Sequence, residues 1–111
     1  MIKAVIFDLD NTLVDFIRMK KVAVDLAADY MINAGLSGKK EQVIKQLFKI
    51  YWKTHIESQS ALEELIKQRT GKLDYRILAS GIIGYQRGRD MATYPYPGVE
   101  TTIKELLKMG L

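Results

Sequence analysis

A chain of 111 residues is enough for one small domain and too short for two full ones, and its 48% apolar and 27% charged residues are the balance of a globular protein rather than a membrane or disordered one. The absence of cysteine excludes disulfides, thiolate metal sites and cysteine nucleophiles, and fits a reducing cytoplasm. A net charge of +4 raises the question of nucleic acid, but the 17 basic residues are scattered and the pairs Lys20-Lys21 and Lys39-Lys40 have acids nearby, so neither nucleic acid nor membrane is expected as a partner.

In chain order, Ile2 to Phe7 is a β-branched, apolar run without polar alternation, which predicts a strand buried on both faces, as in a parallel sheet. Asp8 and Asp10 interrupt the run too early for a signal-peptide core. From Met19 the spacing changes to threes and fours: Val22, Ala23, Leu26, Ala27, Tyr30, Met31 and Ala34 mark one face of a first helix that Gly35 stops. A second helix is expected from about Lys39 to His55, with Val43, Ile44, Leu47, Phe48, Ile50 and Tyr51 on its apolar side and Trp52 joining them in the core. In "SALE", Ser60 and Glu63 have the capping-box spacing, opening a third helix that ends near Gly71. Asp74 caps a fourth from about Tyr75 to Arg89, where Gly81 and Gly84 weaken the helix and permit close packing. Pro95 and Pro97 then break the pattern, and a last helix runs from about Glu100 to Met109. No internal repeat or low-complexity segment is visible.

One buried-type strand against about five helices is an imbalance. A lone strand satisfies neither its backbone hydrogen bonds nor its two apolar faces, so Ile2 to Phe7 requires neighbours, either from a larger fold of which this is the first part or from another chain.

The acids at the end of that strand carry the chemistry. In extended backbone, Asp8 and Asp10 point the same way, about 6–7 Å apart along the chain, while Leu9 points away. Their mutual repulsion is relieved by a hard cation such as Mg²⁺, which keeps several waters and bridges to phosphate oxygens. With such an ion, one carboxylate can attack phosphorus and the other can handle the leaving-group and water protons.

The stretch "FDLDNTLVD" resembles the first motif of the haloacid dehalogenase superfamily, a hydrophobic strand followed by D-x-D-x-T, and "PYPGV" at Pro95 to Val99 resembles the turn by which members with a helical cap return to their core. The resemblance covers essentially the whole chain. It implies an α/β fold: a Rossmann-like core, of which residues 1–15 and 92–111 supply the first strand and the return helix, with a four-helix cap inserted at residues 16–91. The chain alone would then be mostly α. It implies that Asp8 is nucleophile and Mg²⁺ ligand, that Asp10 is general acid/base and ligates Mg²⁺ through its backbone carbonyl, and that Thr12 supports the loop. An aspartate at the second acidic position is the phosphatase pattern, so the expected reaction is hydrolysis of a small phosphorylated metabolite through an aspartyl-phosphate. The family's later motifs, a phosphate-binding Ser or Thr, a charge-neutralising Lys or Arg and further acidic metal ligands, lie beyond the return helix and match nothing before Leu111. The isolated chain is therefore expected to be catalytically poor or inert.

Blander readings stand beside these. In these, Asp8 and Asp10 end a strand in an ordinary turn, Thr12 and Asp15 are helix-start residues, and His55 is a solvated residue near a helix end. Arg18, Lys20 and Lys21 follow the motif closely enough for one to meet a substrate phosphate, with Arg18 and Lys21 as the candidates, against the alternative of a solvated helix face. The rival to the hydrolase reading is a helical interaction module that binds a partner, or itself, through the unpaired strand and apolar helices.

Overall fold

The computed structural model describes all residues, Met1–Leu111, in an elongated molecule of 60 × 23 × 21 Å. Five helices follow an extended N-terminus: α1 (Phe16–Asn33), α2 (Lys40–Lys53), α3 (Ala61–Thr70), α4 (Tyr75–Ala92) and α5 (Val99–Lys108). The first four form one unit, in which α1 packs along α4, α2 against α1 and α3, and α3 against α4. α5 stands apart from that unit and buries no residue.

Local chemistry sets the boundaries. Asp15 caps α1 by accepting from the Arg18 amide at 3.0 Å, and Asp74 caps α4 by accepting from the Arg76 and Ile77 amides. Gly71 ends α3 at φ +82°, in the left-handed region that disfavours a side chain. The capping box expected at Ser60 does not form. Ser60 lacks the extended backbone of a capping residue, at φ −103° and ψ 4°, and its hydroxyl lies 3.3 Å from that of Ser58.

The core is contained in the four-helix unit. Val24, Ala27, Ala28 and Met31 of α1, Val43, Leu47, Ile50 and Tyr51 of α2, Ala61, Leu62, Leu65 and Ile66 of α3, and Ile77 of α4 are buried together. Trp52 is corrected: it is 68% exposed, because Ile50 and Tyr51 already occupy the inward side of the last turn of α2 and the next residue rotates out of it. Lys40 ties α2 to α1 through Asp29 at 2.9 Å and Asp25 at 3.0 Å, and these hydrogen bonds hold its ammonium above the usual lysine range.

Along α4 the glycines form a groove. A Cβ on Gly84 would lie 2.6 Å from the Leu26 carbonyl oxygen, and one on Gly88 would lie 2.7 Å from both the Ala23 Cα and the Val22 carbonyl oxygen. α1 and α4 thus meet backbone to backbone. Gly81 and Gly84 have the packing role expected of them, and Gly88 extends it.

The N-terminal strand is also corrected. Ile2 to Phe7 is in no ladder, and the first twelve residues are exposed. Only two isolated bridges occur, Asp10 with Val14 and Val14 with Pro95. The physical reason is the one the sequence already contains: the helices offer no neighbouring strand, so backbone donors and acceptors in this segment find no partner. The fold of the chain is helix-rich, and a sheet is not part of it.

Candidate active site

The residues after the apolar run make a tight loop around one carbonyl. Leu9 C=O accepts from the amides of Thr12, Leu13 and Val14 at 3.3, 3.0 and 3.2 Å, and the Asn11 amide donates to Val14 C=O at 2.8 Å. Closing so sharply puts Asn11 at φ +58°, the left-handed region that Asn tolerates better than other side-chain-bearing residues. Its side-chain oxygen then accepts from the Phe16 amide at 3.0 Å, fastening the loop to the first turn of α1. Asn11 was not singled out by the sequence reading. The Asp-Asn turn propensity in "DLDNT" was its only signal.

A second fastening joins this loop to the return segment. The Tyr96 amide donates to Leu13 C=O at 2.8 Å, beside the Val14–Pro95 bridge. Chain leaving for α1 and chain arriving from α4 therefore lie side by side. Below them an open pocket of about 320 Å³ is lined by Phe7, Thr12, Leu13, Tyr96, Val99 and Ile103 among others. Thr12 thus sits in the wall between the loop and α5.

Asp8 and Asp10 stand at the entrance of the loop, both exposed, with no side-chain hydrogen bond or ion pair. Their oxygens are hard donors of the kind Mg²⁺ takes. The chain holds no group of three or more His, Cys, Asp or Glu able to bind a metal. The donor chemistry therefore fits Mg²⁺ as a partial set, the Asp8 carboxylate and the Asp10 carbonyl, since Mg²⁺ ordinarily binds one or two carboxylates and completes its shell with water and phosphate.

Of the basic residues after the motif, Arg18 stacks its guanidinium 4.6 Å from the centre of the Tyr94 ring, bracing the start of α1 against the return segment. Lys21 is exposed on the outer side of α1. Lys20 is 2% exposed. Its ammonium donates to the Tyr85 hydroxyl at 2.7 Å and lies 3.7 Å from the centre of the Tyr51 ring. His55 is exposed, its Nδ1 accepting from the Glu57 amide.

Burial pushes the Lys20 ammonium down to about 8, with nearby Glu57 opposing that. The same burial raises the phenols of Tyr51 and Tyr85. Between about pH 8 and the unfolded lysine value of 10.5, the unfolded chain holds a proton that folded Lys20 has released, so stability rises with pH. Above 10.0 the unfolded phenols ionise while the folded ones resist, and stability falls. The unfolding free energy from denaturant titrations should climb from about pH 8 to about pH 10, by up to roughly 2–3 kcal/mol, and then turn over. In Lys20→Met the climb should vanish and the fall remain.

Comparison with known proteins gives concordant matches. The family model described as haloacid dehalogenase-like hydrolase matches residues 2–111. A glyceraldehyde 3-phosphate phosphatase of Methanocaldococcus jannaschii is 35% identical over 111 residues, covering 100% of this chain and 49% of the relative. Proteins of the same name from Methanothermobacter thermautotrophicus and Methanopyrus kandleri are 31% and 27% identical, over 99% of this chain and 49% and 48% of their own lengths. The chain spans about half the length of the curated relatives it matches.

Proposed function

Because the chain belongs to the haloacid dehalogenase-like hydrolase family, we propose that it is the N-terminal part of a phosphatase acting on small phosphorylated metabolites, with Mg²⁺ as cofactor. On this reading residues 1–15 and 92–111 belong to a Rossmann-like α/β core, and residues 16–91 are a four-helix cap over its site. The observation that carries the proposal is the loop itself: two free carboxylates at the mouth of a turn that Asn11 and Tyr96 pin to both crossings between the two parts.

The residues divide the work as follows. The Asp8 carboxylate attacks phosphorus, forming an acyl-phosphate bond as the ester P–O bond breaks. Asp10 delivers its proton to the departing alkoxide oxygen. Asp10, now ionised, takes a proton from water as that water attacks the phosphoryl group, releasing inorganic phosphate and restoring Asp8. Asp8 and the Asp10 carbonyl would hold Mg²⁺, which when bound would supply charge neutralisation for the phosphate. Thr12 keeps the loop in place, and the cap excludes water and selects the alcohol. The name the relatives carry puts glyceraldehyde 3-phosphate first among substrates to try. The exposed apolar residues Ile6, Phe7, Ile103 and Leu107 are the surface on which the remaining core would seat, so the chain alone should turn over poorly. A chain without cysteine suits the cytoplasm in which such metabolites occur.

Chelation tests the cofactor. The full-length protein should lose hydrolysis of an aryl phosphate in EDTA and regain it with excess Mg²⁺. Turnover indifferent to chelation would remove the metal from the scheme.

A further inference from the structure

The four-helix unit has its own pocket at the end nearest the acid loop. It is an open cavity of about 280 Å³, with Phe16, Met19 and Lys20 of α1 on one side, Tyr85, Gln86 and Arg89 of α4 opposite, and Tyr51 with Glu57, Ser58 and Gln59 closing the end. Its floor begins at Phe16, the residue whose amide Asn11 holds, and Lys20 rises only about 7 Å along the helix from the cap Asp15. α4 runs from this wall into the return segment bonded to the loop. Pocket and acid loop thus adjoin the same first turn of α1.

A lysine on the inward face of a small core is costly unless its charge is used. Tyr85 occupies one of its three donors at 2.7 Å, and the Tyr51 ring faces the ammonium without accepting a conventional hydrogen bond. No other side-chain partner is present for Lys20, so donor capacity remains for a ligand oxygen. Around it, Ser58, Gln59 and Gln86 both donate and accept, Glu57 favours the charged form of Lys20, and Leu62 and Ile82 add apolar wall for a carbon chain. This mixture matches hydroxyl and carbonyl oxygens better than apolar surface or a bare carboxylate. The volume is that of roughly nine waters, which admits a chain of about three carbons and not a nucleoside.

Resting on the phosphatase reading above, the geometry points to this pocket as the specificity site, in which Lys20, oriented by Tyr85 and Tyr51, donates to a hydroxyl or carbonyl oxygen of a short, uncharged, oxygen-bearing alcohol while its phosphate lies at the acid loop.

The test compares sn-glycerol 3-phosphate with phenyl phosphate in the full-length protein, using wild type, Lys20→Met and, as the gentler variant, Tyr85→Phe. Lys20→Met should cut the ratio of kcat/KM for glycerol phosphate over phenyl phosphate by about 10- to 100-fold, chiefly through KM, and Tyr85→Phe should cut it less. Equal losses on both substrates would make Lys20 a structural residue and overturn the proposal. A larger loss for 2-phosphoglycolate than for glycerol phosphate would overturn the ligand class. Binding is read separately by NMR: glycerol phosphate should shift the Lys20 ε-methylene and Tyr51 ring signals. Those shifts without any hydrolysis would defeat the phosphatase reading and leave the pocket standing; their absence would defeat the pocket even if hydrolysis proceeds.

Discussion

Replacing Asp8 with asparagine should lower hydrolysis of an aryl phosphate by on the order of 10⁴-fold or more in the full-length protein, while leaving the folded state intact. The carboxylate is the proposed nucleophile, and an amide of the same shape is neutral and a poor attacking group. Stability should not change, because the Asp8 side chain is exposed and makes no hydrogen bond or ion pair whose loss would matter. Circular dichroism and the thermal midpoint should therefore superimpose on wild type. Asp10→Asn, by contrast, should slow leaving-group departure more for a poor leaving group than for nitrophenolate, since only the former needs its proton. Equal turnover by Asp8→Asn and wild type would remove Asp8 from the mechanism.

The largest effect on stability is expected at Gly88, on the seam between α1 and α4. An added Cβ there meets backbone on two sides, at 2.7 Å from both the Ala23 Cα and the Val22 carbonyl oxygen, and backbone cannot rotate out of the way as a flexible side chain can. Gly88→Val should cost on the order of 3 kcal/mol or more by forcing α1 and α4 apart. Any gain in helix propensity is worth less than about 1 kcal/mol and does not offset this. Gly71→Ala provides the contrast. Its φ of +82° disfavours alanine, yet no atom lies within 4 Å of the added carbon, so the loss should stay near 1–2 kcal/mol. Urea midpoints on the three proteins distinguish helix contact from backbone conformation. A Gly88→Val protein as stable as wild type would mean that the two helices are not in backbone contact.

Much of the helical layout was legible because it depends on local chemistry. Asp15 and Asp74 were readable as capping residues and Gly35 and Gly71 as stops, since each acts within a turn or two of its own place in the chain; Gly81 and Gly84 were readable as contact positions only because a bare helix position leaves room for a close neighbour, and which neighbour comes, α1, is set by the assembled bundle. What was not legible depended on neighbours remote in sequence. Trp52 looked like core beside Phe48 and Tyr51, and only the assembled bundle shows that the inward side of α2 is already filled. Ser60 had the right spacing for a cap, but Ser58 claimed its hydroxyl. The apolar run Ile2 to Phe7 has strand composition, yet composition does not supply a ladder partner, and the segment lies extended and unpaired.

The acid pair was visible as a motif, whereas the parts that hold its loop were not. Asn11 is fixed by a bond to Phe16 and Leu13 by one to Tyr96, the second spanning most of the chain. Lys20 was weighed alongside Arg18 and Lys21 as part of a basic cluster. Burial separates the three: Arg18 lies against Tyr94, Lys21 faces outward, and Lys20 is enclosed between Tyr51 and Tyr85. The contributing signal was its register. Phe16, Lys20, Ala23, Ala27 and Met31 follow the three-and-four spacing of a buried stripe, and a lysine on such a stripe marks a place where charge is either paired or in use.

Trapping the covalent intermediate probes the role of Asp8 most directly. Full-length protein quenched during turnover of a phosphomonoester with Mg²⁺, then treated with borohydride, should carry a reduced side chain at residue 8 in the tryptic peptide, as an acyl phosphate is converted to an alcohol. The same treatment without substrate, or of Asp8→Asn, should leave the peptide unmodified. Reduction at Asp10 or Asp15 with residue 8 unchanged, or a phosphoryl group recovered on His55, would contradict attack by Asp8.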